Sequence, residues 1–185
     1  IYNLNANNET FLSYLELSLI PKLIKKYPDL DWEYLLENKV TNKHNIIIYI
    51  LANLDYKNLN IFLDVYTKSN IEKYINYITI NNLLKDDEKI KLLDNFTDDQ
   101  INYRNNLNEG IIINAIQNDN KTLFSYMIKR NIDVDYFSLS GYNPLIEAIY
   151  TDINNNKYYY SKIILSKISS NLLNLQTKLL NNIIH

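Results

Sequence analysis

Apolar residues recur three or four positions apart through most of this chain, in short blocks that polar residues separate. Such spacing places them on one face of a helix, so the pattern predicts short amphipathic helices and an all-α fold. Helices are expected in several segments: Thr10–Leu15, the apolar part of 18–32, Asn45–Ile50, a segment around Leu59, Phe62 and Leu63, Ile71–Leu84, Lys89–Phe96, the apolar part of 122–136, and Thr177–Asn182.

One of these segments occurs twice. Residues 18–32 align with residues 122–136 without a gap, and each copy has an apolar stripe, two cations and an Asp-x-Asp exit. Cations in the last turn favour the negative end of a helix. Asn131 follows the second pair of cations, at the place where a left-handed residue ends a helix, so we expect a helix stop there.

A second repetition sets the period. Ala115 and Ala148 lie 33 residues apart, each inside an apolar segment of similar composition. Around the second alanine, Asn143 can cap a helix, Pro144 suits its first position, and Leu145 is a core residue. Ala148 must be small so that neighbouring helices can approach closely.

The segment from Gly141 to Ala148, Gly-Tyr-Asn-Pro-Leu-Ile-Glu-Ala, resembles the ankyrin signature G-x-T-P-L-H-x-A, with Asn143 for Thr and Ile146 for His. A 33-residue period is also that of ankyrin repeats. Glycines that stop the helices of that family are mostly absent here. The resemblance implies an α-solenoid of about five stacked helix-turn-helix repeats with short β-hairpin loops.

From this resemblance, we expect residues 1–185 to form a single ankyrin-repeat domain. Its units start near residues 10, 45, 77, 110, 143 and 177, and the last unit is incomplete. Two other arrangements share the same helix pairs: another helical-hairpin solenoid and an irregular α bundle.

Composition excludes several classes of function but does not identify one. With 46% hydrophobic residues and 22% charged residues at a net charge of −2, the chain matches neither a disordered tail nor a polycationic nucleic-acid binder. Two glycines are too few for a P-loop or a dinucleotide-binding fold. No apolar run approaches a membrane span, so no membrane partner is expected. A cytoplasmic location is expected, although the lack of cysteine leaves secretion open.

The excess of asparagine changes how turns are interpreted. The chain has 31 Asn, and Asn tolerates the left-handed backbone region better than other non-glycine residues. We therefore expect Asn at positions where related repeats carry Gly. Asn, Ile, Tyr and Lys are also the residues that AT-rich codons encode.

Candidate chemistry is sparse. His44 and His185 are far apart and neither lies in a metal-binding spacing, so no metal, cofactor or enzymatic activity is expected. The acidic run Asp86 to Glu88 precedes an expected helix, and we interpret it as complementing the positive helix end.

The resemblance implies a non-enzymatic protein-interaction module that presents a Tyr-rich concave groove to a partner protein. Two alternatives remain: a structural segment that stacks on further repeats of a longer chain, and the substrate-capturing part of a virus-type ankyrin adaptor. Trp32 and Tyr34 are expected at one hairpin tip. The residues expected to face the partner are Tyr14, Tyr49, Asn114, Gln117, Asn118, Tyr136, Ser138, Ser140, Tyr142, Glu147, Tyr150 and Thr151.

Overall fold

A computed structural model describes residues 11–37, 39–40, 44–66 and 71–174. Apart from one pair of two-residue strands, the regular structure of these residues is helical, so the predicted all-α class is confirmed. Contacts divide the chain into two compact units, residues 1–97 and 98–185. That the whole chain forms one stacked domain remains a prediction. The units expected to start near 10 and 177 begin outside the described residues.

Six α-helices and the strand pair occur in the described residues of the first unit. Short 3₁₀ turns cover Phe11–Tyr14, Leu17–Leu19 and Ile71–Tyr74. The elements are α1 Ile20–Lys26, α2 Trp32–Glu37, β1 Lys39–Val40, β2 His44–Asn45, α3 Ile46–Asn53, α4 Tyr56–Val65, α5 Asn76–Thr79 and α6 Asp86–Leu93. The strands are antiparallel, with Lys39 opposite Asn45 and Val40 opposite His44.

In the first unit, α4 contacts α1 and α6, α3 contacts α2 and α5, and α5 contacts α6. The fully buried Asn81 joins the segment after α5 to α3, because its side-chain amide donates to the carbonyls of Leu51 and Leu54, each at 2.9 Å. Leu51 lies in the last turn of α3 and Leu54 directly follows the helix, where carbonyls lack intrahelical donors.

The prediction of one continuous helix over Ile71–Leu84 is wrong. Its apolar stripe is buried at Ile71, Ile75 and Ile78, as the spacing predicts, but the backbone forms a 3₁₀ turn and then the four-residue α5. Asn76, Tyr77 and Thr79 flank Ile78, and all three residue types have low helix propensity. The Thr79 hydroxyl also donates to the Asn76 carbonyl, which satisfies this backbone group locally.

Trp32 is not at a hairpin tip. It is buried and begins α2, and its indole N–H donates to the Tyr27 carbonyl at 2.7 Å. Tyr34, two residues later on the same helix, is 40% exposed.

Over residues 98–174, the second unit contains two helix pairs that follow a short first helix. Helix α8 contacts α9 within one pair, α10 contacts α11 within the next, and α8 contacts α10 between the pairs. The elements are α7 Asp98–Ile101, α8 Ile112–Gln117, α9 Lys121–Lys129, α10 Pro144–Asn154 and α11 Tyr160–Leu165, followed by helical residues 170–174.

The 33-residue period of the sequence reappears in the backbone of this unit. In the loop before α8, the Asn105 N–H donates to the Glu109 carbonyl; in the loop before α10, the Ser138 N–H donates to the Tyr142 carbonyl. Both loops carry a left-handed residue at the same place, Asn108 and then Gly141. Neither loop contains a strand, so the β-hairpins expected here are absent and hydrogen-bonded turns replace them.

Helix ends in the second unit use Asn or Asp where glycine is usual. Asp119, Asn131 and Asn156 have φ near +50° and follow α8, α9 and α10 respectively. At Asn131, the backbone N–H bonds to the Ile128 carbonyl and the next N–H bonds to the Met127 carbonyl, which is the Schellman arrangement. The predicted left-handed helix stop at Asn131 is therefore confirmed.

Substitutions at Asn131 test this helix stop. We expect Asn131→Gly to leave the free energy of unfolding unchanged or raise it slightly, because glycine adopts φ > 0 without steric cost. Asn131→Ala should lower it by about 1 kcal/mol, since alanine disfavours that region. Urea unfolding of both variants measures the difference, and a glycine variant less stable than the alanine variant would contradict this account.

Candidate binding groove

A groove of about 480 Å³ opens on one side of the second unit. Two helices and two loops contribute to it. Its described lining consists of Glu109, Ile113, Gln117, Ser140, Tyr142, Glu147 and Tyr150. We call these seven residues the groove.

Helical spacing explains why four of these side chains meet. Ile113 and Gln117 are four residues apart on α8, and Glu147 and Tyr150 are three residues apart on α10. Residues at these separations share a helix face. Because α8 and α10 contact each other, their two faces form one continuous surface.

The remaining groove residues come from the loops before these helices. Within the second loop, the Ser138 hydroxyl accepts from the Tyr142 N–H, and the Asn105 side chain accepts from the Glu109 N–H in the first loop. A backbone hydrogen bond from Leu139 to Leu107 joins the two loops at 2.8 Å. The loops therefore hold Glu109, Ser140 and Tyr142 in place without a sheet.

The solvent exposure of the groove residues increases from the floor of the groove to its rim. Ile113 is only 6% exposed, whereas Tyr142 and Tyr150 are 53% and 66% exposed. Glu109 and Glu147 are half-buried. The groove thus offers exposed aromatic rings beside carboxylates over an apolar floor.

Helix α10 is fixed at both ends. At its start, the buried Asn143 side chain accepts from the Ile146 N–H at 2.8 Å, and Pro144 occupies the first helical position, as the sequence predicts. Near its end, the Asp152 carboxylate accepts four hydrogen bonds from the first turn of α11 and the residue before it, through the N–H groups of Tyr159, Tyr160 and Ser161 and the Ser161 hydroxyl.

These bonds change the acidity of Asp152, whose side chain is almost fully buried. Burial acts to raise the pKa of the Asp152 carboxyl, but the hydrogen bonds from Ser161, Tyr160 and Tyr159 outweigh it, so the pKa lies below its ordinary value. Asp152 is therefore a structural anion that joins α10 to α11, outside the groove.

Five of the twelve side chains expected at a partner surface line the groove. They are Gln117, Ser140, Tyr142, Glu147 and Tyr150. Their role in binding a partner stays a prediction.

Three of the twelve are buried, and the expectation that they face a groove is wrong. The Tyr136 hydroxyl accepts from the Gly110 N–H at 2.9 Å, and the Arg104 guanidinium covers its ring. Burial raises the pKa of the Tyr136 phenol. Ser138 uses its hydroxyl inside its own loop, and Thr151 lies three residues after Ala148 on the buried side of α10.

Tyr136 packs closely against Gly110. A Cβ at position 110 would lie 2.9 Å from the Tyr136 hydroxyl, so any other residue there would force the Tyr136 ring to shift.

The other four expected residues lie outside the groove. Asn114 is half-buried on α8, and Asn118 is exposed and donates to the Asn114 carbonyl at 2.7 Å. Tyr14, 71% exposed, and Tyr49, half-buried, belong to the first unit.

Sequence reasoning missed Glu109 and Ile113. Glu109 stands 33 residues before Tyr142, which was expected at the partner surface, so the repeat register could have identified it. Ile113 corresponds to Ile146, which does not line the groove, so the register gave no signal for it. Among the described residues, no three His, Asp or Glu side chains come together as a metal site. Within the same residues, the helices are too short or too polar to cross a bilayer.

Comparison with known proteins found no matching family model, no matching curated protein and no matching solved structure.

Proposed function

We propose that this chain is a non-enzymatic protein-interaction module that binds a partner protein in the groove. The observation that carries the proposal is the groove itself, where exposed Tyr142 and Tyr150 stand beside Glu109 and Glu147 on elements fixed by hydrogen bonds. Tyrosine supplies a large contact area with few rotatable bonds and a polar tip.

We further propose that the repeats are of the ankyrin type. The support is local: loops of the same conformation precede α8 and α10 at the 33-residue period, and each is followed by a helix pair. In an ankyrin stack, loop tips and inner helices line a concave surface that binds proteins. Here α8, α10 and the loops before them line the groove.

Rigidity favours a binding role for this surface. Asn143 caps α10, and the turns that carry Glu109 and Tyr142 are closed by hydrogen bonds. A surface that is already ordered loses little conformational entropy when a partner binds. Leu107 and Leu139 add exposed apolar side chains at the tips of the same loops.

Alanine substitutions in the groove test the proposal. Peptides are first selected from a displayed random library on the wild-type protein. Tyr142→Ala and Tyr150→Ala should each weaken binding of the selected peptides by about 1–2 kcal/mol, because each removes an aromatic contact. Isothermal calorimetry measures the affinity, and thermal melts should show unchanged stability, since both side chains are exposed in the free protein.

Tyr158 provides a matched control. It is 80% exposed and outside the groove, so Tyr158→Ala should leave the affinity unchanged. Lys129→Ala, on α9, should alter only the salt dependence. Peptide binding that survives both groove substitutions but is lost in either control variant would reject the groove.

A further inference from the structure

Both arginines of this chain contact a carboxylate and a tyrosine. Arg104 pairs with Asp133, and its guanidinium lies 4.1 Å from the centroid of the Tyr136 ring. Arg130 pairs with Asp98, with 2.6 Å between Nη2 and Oδ1, and donates to the Tyr126 hydroxyl at 2.7 Å. The second unit thus contains two arginine sites of the same chemistry.

The groove contains the same two kinds of group, carboxylates and tyrosine rings. Carboxylates of Glu109 and Glu147 and rings of Tyr142 and Tyr150 line it, and none of its seven described lining residues is basic. Asn105 donates to one oxygen of Glu109 at 3.0 Å, which orients that carboxylate without neutralising it. The groove therefore carries negative charge beside aromatic faces.

We propose that the groove receives an arginine side chain of the partner polypeptide, an inference that rests on the interaction function proposed above. A guanidinium donates to carboxylates in a planar fork and stacks on aromatic rings, so it satisfies both kinds of group together. Lysine offers a more strongly hydrated point charge and stacks less well. A neutral or acidic side chain would leave the two carboxylates without a cation.

The probe is a blocked tripeptide, acetyl-Gly-Arg-Gly-amide, titrated into the ¹⁵N-labelled protein. Backbone amide signals of Gln117, Ser140 and Tyr142 should shift with saturable binding. The citrulline tripeptide has the same shape without the charge, and we expect its affinity to be about tenfold lower. The lysine tripeptide should also bind more weakly, and the arginine affinity should fall as salt rises.

A charge-matched pair of variants separates the groove from the general field of the protein. Glu109→Gln with Glu147→Gln should lower the arginine affinity about tenfold, whereas Asp87→Asn with Asp99→Asn should lower it less than twofold. Both pairs remove two negative charges, and the control carboxylates are exposed and outside the groove. If the double groove variant unfolds, Glu147→Gln alone gives the same comparison against Asp99→Asn.

The arginine assignment would be overturned if the citrulline peptide or the lysine peptide bound as tightly as the arginine peptide. It would also be overturned if the groove variants bound the arginine peptide with unchanged affinity. The library selection keeps this failure distinct from failure of the interaction function. Selected peptides that require Tyr142 and Tyr150 but tolerate replacement of every arginine would overturn the arginine assignment alone. A selection that yields no groove-dependent peptide would count against the interaction function, even if the tripeptide binds as expected.

Discussion

Replacing Asp152 with alanine is expected to lower the free energy of unfolding by about 3 kcal/mol. The carboxylate accepts four hydrogen bonds, and its side chain is almost fully buried. Alanine would leave the first N–H groups of α11 without acceptors at a site that water reaches poorly. Urea unfolding measures the loss, and Asp99→Asn, an exposed change in the same unit, should cost less than about 0.5 kcal/mol.

Acid should remove the same stabilisation. Because the folded-state pKa of Asp152 is below its ordinary value, the carboxylate stabilises the fold fully above the unfolded-state pKa of about 3.9. The contribution is lost as the pH falls through the folded-state pKa. The difference in stability between wild type and Asp152→Asn should therefore be constant from pH 7 to about pH 5 and narrow below pH 4. A difference that is unchanged in acid would show that the charge of Asp152 is not what matters.

Within the repeats of the second unit, the sequence predicted a helix stop, a helix cap and a buried position correctly, but not the β-hairpins. Asn131 is left-handed, Asn143 caps α10, and Ala148 is fully buried. Each prediction depends on backbone requirements that recur at a fixed period, which one chain can reveal by comparison with itself. The resemblance also predicted five of the seven side chains that line the groove, but Tyr136, Ser138 and Thr151, which it placed at the same surface, are buried.

Side-chain direction in the loops could not be predicted in the same way. Tyr136 and Tyr142 are both aromatic loop residues, but one hydroxyl packs against Gly110 while the other ring is 53% exposed. The difference arises from a contact 26 residues away in sequence, and neither composition nor periodicity encodes it. Tyr is also amphipathic, so its type is compatible with either position.

The continuity of one helix was also not predicted correctly from the sequence. The isoleucine stripe at Ile71, Ile75 and Ile78 is buried as expected, but a regular helix did not follow from it. Instead, Asn81 turns inward and bonds to the end of α3, a tertiary contact that overrides the local pattern. Hydrophobic spacing therefore identified the buried positions better than the backbone between them.

Replacing Ala148 with leucine is expected to lower the free energy of unfolding by about 1–3 kcal/mol. Ala148 is fully buried on α10, which contacts both α8 and α11, so three added carbon atoms must displace a neighbouring helix or adopt a strained rotamer. Asn154→Leu places the same side chain at an exposed position of the same helix and should change stability by less than about 0.5 kcal/mol. Urea unfolding of both variants gives the comparison, and a leucine tolerated equally at both positions would mean that α10 does not approach its neighbours closely.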